Sequence, residues 1–290
     1  MLFDSGDCDL FRNLFCNNIS VRQISSSNGI MLELNTIYTE DNLKTMSLME
    51  DNFIDLVVTS PPYDERRTYK GYSFDFENIA NELYRVTKQG GVVVWVVNDS
   101  SYGANETGTS FRQALYFKEI GFNLFDTMIY AKPPRGAVGN NKSYWQTFEY
   151  MFVLSKGSPK TINLICDREN QESRTGDRGT KRLETGELKS IKRGGYGKLG
   201  RRTNIWQYKV GKGKSSSDAI AHNHPAIFPE ELAKDHIVSW SNEYDLIYDP
   251  FMGSGTTAKM ALLCNRNFIG SEISKEYCNI ANERINQYVT

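Results

Sequence analysis

Residues Ser60, Pro61, Pro62 and Tyr63 bring three kinds of chemistry together in four consecutive positions. Serine supplies a small hydroxyl that can accept a hydrogen bond. The prolines fix φ and lack a backbone N–H, so the carbonyl groups of this stretch are held in restricted positions. Tyrosine adds a flat aromatic face. The stretch thus offers fixed hydrogen-bond acceptors beside a stacking surface; the alternative interpretation is a proline-rich surface turn after a strand.

A second stretch, residues 249–257, reads DPFMGSGTT and follows an apolar run of strand length. Glycines between a strand and a helix let the backbone approach a ligand closely, and the first N–H groups of the helix lack intrahelical partners. Such a turn suits an anionic or carboxylate-bearing cofactor. Gly253, Gly255 and Ala258 also match the dinucleotide fingerprint, with Glu272 placed to hold ribose hydroxyls. A nicotinamide cofactor is therefore an alternative, and so is a tight turn without a ligand.

The elements that must position these stretches alternate between strands and helices. Continuous β-branched runs at 54–59 and 92–97 are typical of strands covered on both faces of a parallel sheet. Apolar residues at helical spacing lie between the two runs, and Gly90–Gly91 provides a stop before the second strand. The remaining pattern predicts helices over 109–120, from Pro229, over 256–265 and from Ser274, and strands in 124–131, 150–155, 244–249 and 267–273. The alternation predicts a doubly wound, mostly parallel α/β sheet that is interrupted once.

Ligands in such sheets bind beyond the carboxyl ends of the strands. The serine-proline stretch follows one predicted strand and the glycine-rich stretch follows another. We therefore expect the two stretches to meet at one edge of the sheet.

The interruption is strongly basic. Residues 156–214 contain 16 Lys and Arg against 6 Asp and Glu, whereas the whole chain has a net charge of −1. They are rich in glycine and show little apolar periodicity, which indicates a loop-rich insertion. It could be a solvated, partly disordered excursion, or a surface for phosphate backbones with Trp206 and Tyr208 as interleaved aromatic residues.

Composition limits the protein class. A chain of 290 residues with 39% hydrophobic residues can bury a sizeable core. No apolar run approaches the roughly 18 residues of a membrane helix, so we expect a cytoplasmic protein without membrane association. The five cysteines are scattered, and His222 and His224 lack a third ligand, so neither a disulfide framework nor a metal site is predicted.

Taken together, the two stretches resemble the amino-group DNA methyltransferases that use S-adenosyl-L-methionine. In that family an SPPY or DPPY tetrapeptide forms the catalytic loop and an F-x-G-x-G-T-T turn binds the cofactor. Here SPPY comes first, the basic region follows, and the cofactor turn comes near the C-terminus, which is the order of the family's β group. The resemblance extends to segments 38–43, 147–157 and 224–237. It covers the chain apart from the first 30 residues and the basic insertion, and implies a Rossmann-like, circularly permuted methyltransferase sheet with an inserted target-recognition region.

The resemblance implies a set of cofactor-binding residues. Glu272 would hold the ribose hydroxyls, Asp41 would approach the adenine amino group, and Phe228 would help to close the pocket. Glu40 departs from the pattern, because the family usually has glycine before the acidic residue. The residues around the methionine part of the cofactor would be Asp249, Phe251, Gly253, Ser254, Gly255, Thr256 and Thr257.

The resemblance also implies a chemistry for SPPY. The exocyclic amine of cytosine or adenine is a poor nucleophile, because its lone pair is delocalised into the ring. Ser60 Oγ would accept one amine hydrogen and the Pro61 carbonyl the other, in a loop stiffened by Pro61 and Pro62. Tyr63 would stack on a base rotated out of the duplex. Methylation at cytosine C5 is not expected, since it needs a Pro-Cys nucleophile that the chain lacks.

The target base and the DNA contacts follow less directly. Serine at the first position favours N4 of cytosine, with N6 of adenine as the alternative. Double-stranded DNA is the expected partner, together with a cognate restriction endonuclease, and the protein would be a monomer or homodimer. The candidates for contacting DNA are Arg66, Arg67, Arg135, Arg174, Arg178, Lys181, Arg182, Arg193, Arg201 and Arg202.

This interpretation divides the chain into three parts. Residues 1–156 would form the catalytic half of the methyltransferase domain, 157–220 the target-recognition region and 221–290 the cofactor-binding half. An NAD-linked oxidoreductase would explain the glycines of the stretch at 249–257, but it would give no function to SPPY or to the basic region. An inactive DNA-binding module would give no function to the cofactor turn.

Overall fold

A computed structural model describes residues 23–25, 31–62, 74–103, 105–133, 144–170, 177–193, 197–211, 213–224, 227, 229–286 and 288. The chain divides into two compact units, one formed by 1–162 with 205–290 and the other by 163–204. Within the described ranges, no helix combines the length and apolarity needed to cross a bilayer.

The larger unit contains most of the regular structure. Its strands are β1 (Gln23–Ser25), β2 (Met31–Glu33), β3 (Thr36–Tyr38), β4 (Ile54–Thr59), β5 (Thr87–Val97), β6 (Ser101–Tyr102), β7 (Asn105–Glu106), β8 (Asn123–Ala131), β9 (Phe148–Ser155), β14 (Ile205–Gln207), β15 (Leu246–Asp249) and β16 (Asn267–Ser271). Its α-helices are α1 (Asn42–Ser47), α2 (Phe76–Val86), α3 (Thr109–Glu119), α4 (Glu230–Trp240), α5 (Thr256–Leu263) and α6 (Lys275–Asn286). A 3₁₀ helix spans Ala219–Asn223.

Eight strands form one sheet in the order β14-β8-β9-β5-β4-β15-β16-β3. Every neighbouring pair is parallel except β5–β9 and β8–β9. Along β4, Val57 packs in the core cluster with residues of α2, whereas Leu56 and Val58, on the opposite face, are equally buried. The prediction of an α/β fold with a mostly parallel sheet is confirmed.

The sheet order decides which strand ends are neighbours. Strands β4, β15, β16 and β3 are adjacent and parallel, so their carboxyl ends lie along one edge. Ser60 follows β4, the glycine-rich stretch follows β15, Glu272 follows β16, and Asp41 lies three residues beyond β3. Segments distant in sequence are thus brought to one edge.

Most predicted elements lie within a few residues of their observed positions, but the stop before β5 was placed too late. The strand begins at Thr87 rather than after Gly90–Gly91. Thr87 ends α2 itself, because its hydroxyl donates to the Leu83 carbonyl at 2.6 Å while its backbone is already extended. Gly90 lies inside the strand with φ of +80°, and its N–H donates to the Lys156 carbonyl.

The smaller unit consists of two short antiparallel pairings. Strand β10 (Arg168–Glu169) pairs with β13 (Leu199–Gly200), and β11 (Asp177–Arg182) pairs with β12 (Leu188–Arg193) as a hairpin. Residues 181–190 of the hairpin are all exposed. Regular structure therefore exists where periodicity predicted only loops, because a solvated ribbon carries no apolar alternation.

The segment after this unit belongs to the main sheet. Strand β14 pairs with β8, and both Trp206 and Tyr208 are buried. The Trp206 ring packs on His236 with centroids 4.6 Å apart, and the Tyr208 hydroxyl donates to Asp235 Oδ2 at 2.7 Å. The prediction that these two aromatic residues interleave with surface cations was therefore wrong.

Candidate active site

Two hydrogen bonds join the end of β4 to the end of β15 and to the first turn of α5. Thr59, the last residue of β4, donates from Oγ1 to Asp249 Oδ1 at 2.6 Å. Thr257, in the first turn of α5, donates from Oγ1 to the Val58 carbonyl at 3.2 Å. Both threonines are almost completely buried. The serine-proline stretch and the glycine-rich turn therefore begin from one hydrogen-bonded junction.

The described part of the SPPY stretch lies directly beyond this junction. Ser60 and Pro62 are partly exposed and Pro61 is buried. Phe251, in the other stretch, packs edge-on against Trp95 of β5, the strand on the other side of β4, with centroids 6.2 Å apart. Tyr63 lies outside the described residues. The described part of the site thus has a partly exposed serine beyond the junction and an aromatic pair, Phe251 and Trp95, where the other stretch begins.

Asp249 is the buried carboxylate of the junction. It accepts hydrogen bonds from the Thr59 hydroxyl and the Phe251 N–H. Burial raises the pKa of Asp249 to about 6, and the hydrogen bonds from Thr59 and Phe251 limit the rise. The ionised form is disfavoured because few of the dipoles that solvate a carboxylate in water reach this position.

The stability of Asp249→Asn, measured relative to that of the wild type, is expected to increase as the pH rises from 4 to 8. The folded-state pKa lies above the ordinary value of 3.8, so the protonated carboxyl stabilises the fold fully below that value, and this stabilisation is lost as the pH rises through 6. The wild type should lose at most about 3 kcal/mol that the variant keeps. Urea unfolding of both proteins across this range measures the difference. A difference of equal size at pH 4 and pH 8 would contradict the expectation.

The backbone of the turn requires glycine at two positions. Gly253 and Gly255 have φ of +53° and +81°, in the left-handed region. A Cβ on Gly255 would lie 2.8 Å from Ala281 Cβ, and one on Gly253 would lie 3.1 Å from His224 Nε2. Helix α5 begins at the next residue, so the N–H groups of its first turn have no acceptors within the helix.

Glu272 and residues 41–42 complete this edge. Glu272 accepts from the Gly253 N–H at 2.8 Å through Oε2 and from the Ser274 N–H at 2.8 Å through Oε1. Burial raises the pKa of Glu272, and these backbone hydrogen bonds oppose the rise. Asp41 caps α1 by accepting from the Leu43 N–H at 2.8 Å.

Asn42 leaves an unused acceptor beside the turn. Its Nδ2 donates to the Pro250 carbonyl at 3.2 Å, whereas its buried Oδ1 has no hydrogen-bond partner among the described residues. A buried carbonyl oxygen without a donor is costly. A ligand with an N–H or O–H group would supply one.

The predicted DNA-contacting residues are distributed differently. In the smaller unit Lys181, Arg182 and Arg201 are exposed. Arg202 forms an ion pair with Asp167, whose pKa it lowers through a hydrogen bond, so that its guanidinium is already engaged. Arg178 and Arg193 are located by backbone register alone, in β11 and β12. The predicted residues outside the described ranges are Arg66, Arg67, Arg135 and Arg174, with Phe228 of the pocket-closing element.

The sequence-based prediction missed a cluster of buried charges behind the turn, which we call the turn-anchoring cluster. It comprises Asp218, Glu230, Lys259 and Arg284. Lys259 and Arg284 are 2% and 1% exposed. One signal was present in the sequence, since Lys259 lies in the otherwise apolar helix TTAKMALL and must have a partner if the helix is buried.

This arrangement can hold a small ligand at the glycine turn and present a second group to Ser60. Donors come from the first turn of α5, whereas acceptors come from Asn42, Glu272 and Ser60. The geometry suits a transfer reaction between two bound partners, held close by the junction.

Comparisons with known proteins agree with this geometry. A family model described as DNA methylase, of the N6/N4 methyltransferase type, matches residues 54–283. The orphan methyltransferase M.BamHII of Bacillus amyloliquefaciens is 60% identical over 242 residues, which span 82% of this chain and 91% of that protein.

Solved structures share the fold at low sequence identity. The PvuII DNA methyltransferase, described as cytosine-N4-specific, aligns with a TM-score of 0.62 and 21% identity over 86% of this chain and 85% of its own. Protein TTHA0409 of Thermus thermophilus, solved in complex with S-adenosyl-L-methionine, aligns with a TM-score of 0.58 and 21% identity, covering 87% of this chain and 93% of its own.

Proposed function

Because the chain belongs to the N6/N4 DNA methylase family, we propose that it transfers a methyl group from S-adenosyl-L-methionine to the exocyclic N4 amine of a cytosine in duplex DNA. The supporting observation is the hydrogen-bonded junction of Thr59 with Asp249 and of Thr257 with Val58. It joins the strand end that precedes Ser60 to the stretch that would hold the methyl donor. The nicotinamide alternative has no role in a DNA methylase.

The residues at the turn fit the methyl donor. When bound, S-adenosyl-L-methionine supplies an electrophilic sulfonium methyl group. The turn from Phe251 to Thr257 would bind the methionine part, helped by the helix N-terminus beside its carboxylate. Glu272 would accept from the ribose hydroxyls with its remaining lone pairs, and Asp41 would lie near the adenine. The unpartnered Asn42 Oδ1 is an acceptor that this ligand, with its amino and hydroxyl groups, could satisfy.

The residues after β4 would prepare the amine for attack. Ser60 Oγ and the Pro61 carbonyl would accept its two hydrogens, which localises the nitrogen lone pair toward the methyl group. The restricted backbone of Pro61 and Pro62 keeps these acceptors in place. Tyr63 would stack on the extruded base and offset part of the few kcal/mol lost in unstacking. The methylated ammonium would release its proton to water, directly or with the Ser60 hydroxyl as a relay.

Adenine N6 is the alternative target, because its amine presents the same two hydrogens. The choice of cytosine rests on serine at position 60, the first residue of the SPPY stretch. A serine hydroxyl accepts a weaker hydrogen bond from the amine than a carboxylate would. Incubating the protein with mixed-sequence duplex DNA and labelled cofactor, followed by nucleoside mass spectrometry, distinguishes the two. We expect N4-methylcytosine. N6-methyladenine would reassign the target base, and the absence of both methylated nucleosides would overturn the proposal.

The basic region would provide the DNA-binding surface, and its boundaries at 157–220 are part of this proposal. In the hairpin, Lys181 lies directly opposite Lys189, and both are exposed. Like charges opposite each other destabilise a two-stranded ribbon. An anionic partner would relieve this repulsion, and a two-stranded ribbon fits the major groove. The restriction endonuclease partner and the oligomeric state stay predictions.

Replacing both Lys181 and Lys189 by glutamine is expected to weaken DNA binding and flatten its salt dependence. If each contacts a phosphate, the slope of log K against log salt should become less steep by about 2. Fluorescence anisotropy on a labelled duplex at several salt concentrations measures this slope. Lys118→Gln, at the exposed end of α3, is the control and should leave it unchanged. An unchanged slope in the double variant would remove the hairpin from the DNA surface.

A further inference from the structure

We propose that Arg284 of the turn-anchoring cluster is a positioning residue for the cofactor-binding turn, an inference that rests on the proposed function. It does not line the ligand side of the turn. Its guanidinium donates from Nη1 to the Ser254 carbonyl, to Ser254 Oγ at 3.1 Å and to Thr256 Oγ1 at 3.3 Å. One fully buried side chain therefore binds three acceptors on the protein side of the turn.

These bonds decide which backbone groups of the turn face inward. The Ser254 carbonyl is occupied by the guanidinium, and the Gly255 N–H donates to the Met252 carbonyl at 2.9 Å. The Gly253 N–H donates to Glu272. With these groups engaged by the protein, the N–H groups of the first turn of α5 are left to face a ligand. Arg284 thus preorganises the donors without touching the ligand.

The same guanidinium ties the turn to the segment preceding α4. Its Nε donates to Asp218 Oδ2 at 2.9 Å and its Nη2 to Glu230 Oε1 at 2.7 Å. Lys259 Nζ contacts the same two carboxylates, at 2.9 Å each. Asp218 and Glu230 flank residues 219–229, which contain the element predicted to close the cofactor pocket. Arg284 therefore links the turn to both ends of that element.

Two cations and two carboxylates compensate each other within the turn-anchoring cluster. Burial alone would raise the pKa of Asp218 and of Glu230. Hydrogen bonds from Lys259 and Arg284 hold the pKa of Asp218 below its usual range. Hydrogen bonds from Ser216 and Lys259 do the same for the pKa of Glu230. A buried ion pair of this kind contributes little net stability compared with apolar residues of the same volume. What the planar fork of Arg284 adds is direction, because its donors are fixed relative to one another.

Arg284→Lys is the direct test, since it keeps the charge and removes the fork. Arg266→Lys is the matched control, because Arg266 binds the Ser241 carbonyl and the Cys264 carbonyl at the other end of α5. Three quantities would be measured for wild type and both variants: the Kd for S-adenosyl-L-methionine and S-adenosyl-L-homocysteine by calorimetry, hydrogen exchange of peptides covering 250–260 without ligand, and kcat and the KM for the cofactor at saturating DNA.

In Arg284→Lys we expect both Kd values to rise about tenfold or more, as for loss of a charged hydrogen bond. Exchange in 250–260 should accelerate in the unliganded protein, KM for the cofactor should rise, and kcat at saturation should change less than about threefold. Arg266→Lys should match wild type in all of these. Wild-type Kd and exchange in a folded Arg284→Lys protein would overturn the inference.

A second variant covers failure of Arg284→Lys to fold. Ser216→Ala removes one acceptor of Arg284 Nη2, at 3.2 Å, while all four charges remain. It should raise the cofactor Kd in the same direction by a smaller factor, and an unchanged Kd would count against the inference. Failure of the proposed function itself has a different signature, since wild type would then bind no S-adenosyl-L-methionine.

Discussion

Ser60→Ala is expected to reduce methyl transfer about 10²- to 10³-fold while leaving cofactor binding intact. Removal of one preorganised hydrogen-bonding group that acts on a developing charge has effects of this size. Ser60 lies beyond β4 and is partly exposed, whereas the turn is held by Asp249, Glu272 and Arg284. We therefore expect the cofactor side to stay in place when the hydroxyl is removed. Single-turnover transfer of labelled methyl groups, with calorimetry for cofactor binding, measures the two effects separately.

Ser47→Ala is the control for this experiment. Ser47 ends α1, is exposed, and donates from Oγ to the Lys44 carbonyl at 2.6 Å. Its loss should change neither the transfer rate nor the affinity. Wild-type turnover in Ser60→Ala would remove the serine from the mechanism, and loss of cofactor binding would assign it to the cofactor site instead.

Gly255→Ala is expected to lower the kcat/KM for the cofactor about a hundredfold and to destabilise the protein. The left-handed backbone alone costs roughly 1–2 kcal/mol with a Cβ present. The added carbon would also lie 2.8 Å from Ala281 Cβ and 3.0 Å from Ala281 Cα, so α5 or α6 must shift. A displacement of about 1 Å at a binding turn is sufficient for a hundredfold loss. Cofactor titrations and thermal melts measure both effects.

Gly108→Ala separates backbone strain from displacement. Gly108 is also left-handed, with φ of +65°, and also precedes a helix, but nothing lies within 4 Å of its added Cβ. It should lose stability to a similar degree from the backbone alone and keep its cofactor kinetics. Equal kinetic losses in both variants would show that global destabilisation, rather than movement of the turn, lowers activity.

The junction explains how two distant stretches can form one site. Strand β4 ends in Thr59, and the hydroxyl of Thr59 donates a hydrogen bond to the carboxylate of Asp249 at the end of the adjacent strand β15. Thr257 makes the reverse connection from the helix to the first strand. Both bonds are buried, so they hold the two strand ends in register rather than merely near each other.

Local patterns in the sequence were sufficient for most elements of the main sheet. The apolar runs of β4 and β5, the helical spacing in α2 and α3, and Pro229 before α4 are short-range signals, and the elements formed at these places, although β5 begins earlier than its apolar run. The turn at Gly253 and Gly255 could also be predicted from the sequence, because only glycine adopts a left-handed backbone conformation at low cost. The strands that precede the two stretches are adjacent and parallel, as expected.

What sequence alone determined is the kind of most elements in the main sheet and the residues at the strand ends, since both depend on neighbours along the chain. The tertiary structure decided which strands are adjacent, that Trp206 and Tyr208 are buried beside His236 and Asp235, and that Lys259 and Arg284 meet Asp218 and Glu230. These pairings join residues far apart in the sequence. Their energies depend on burial and distance, which no local pattern of residue types contains.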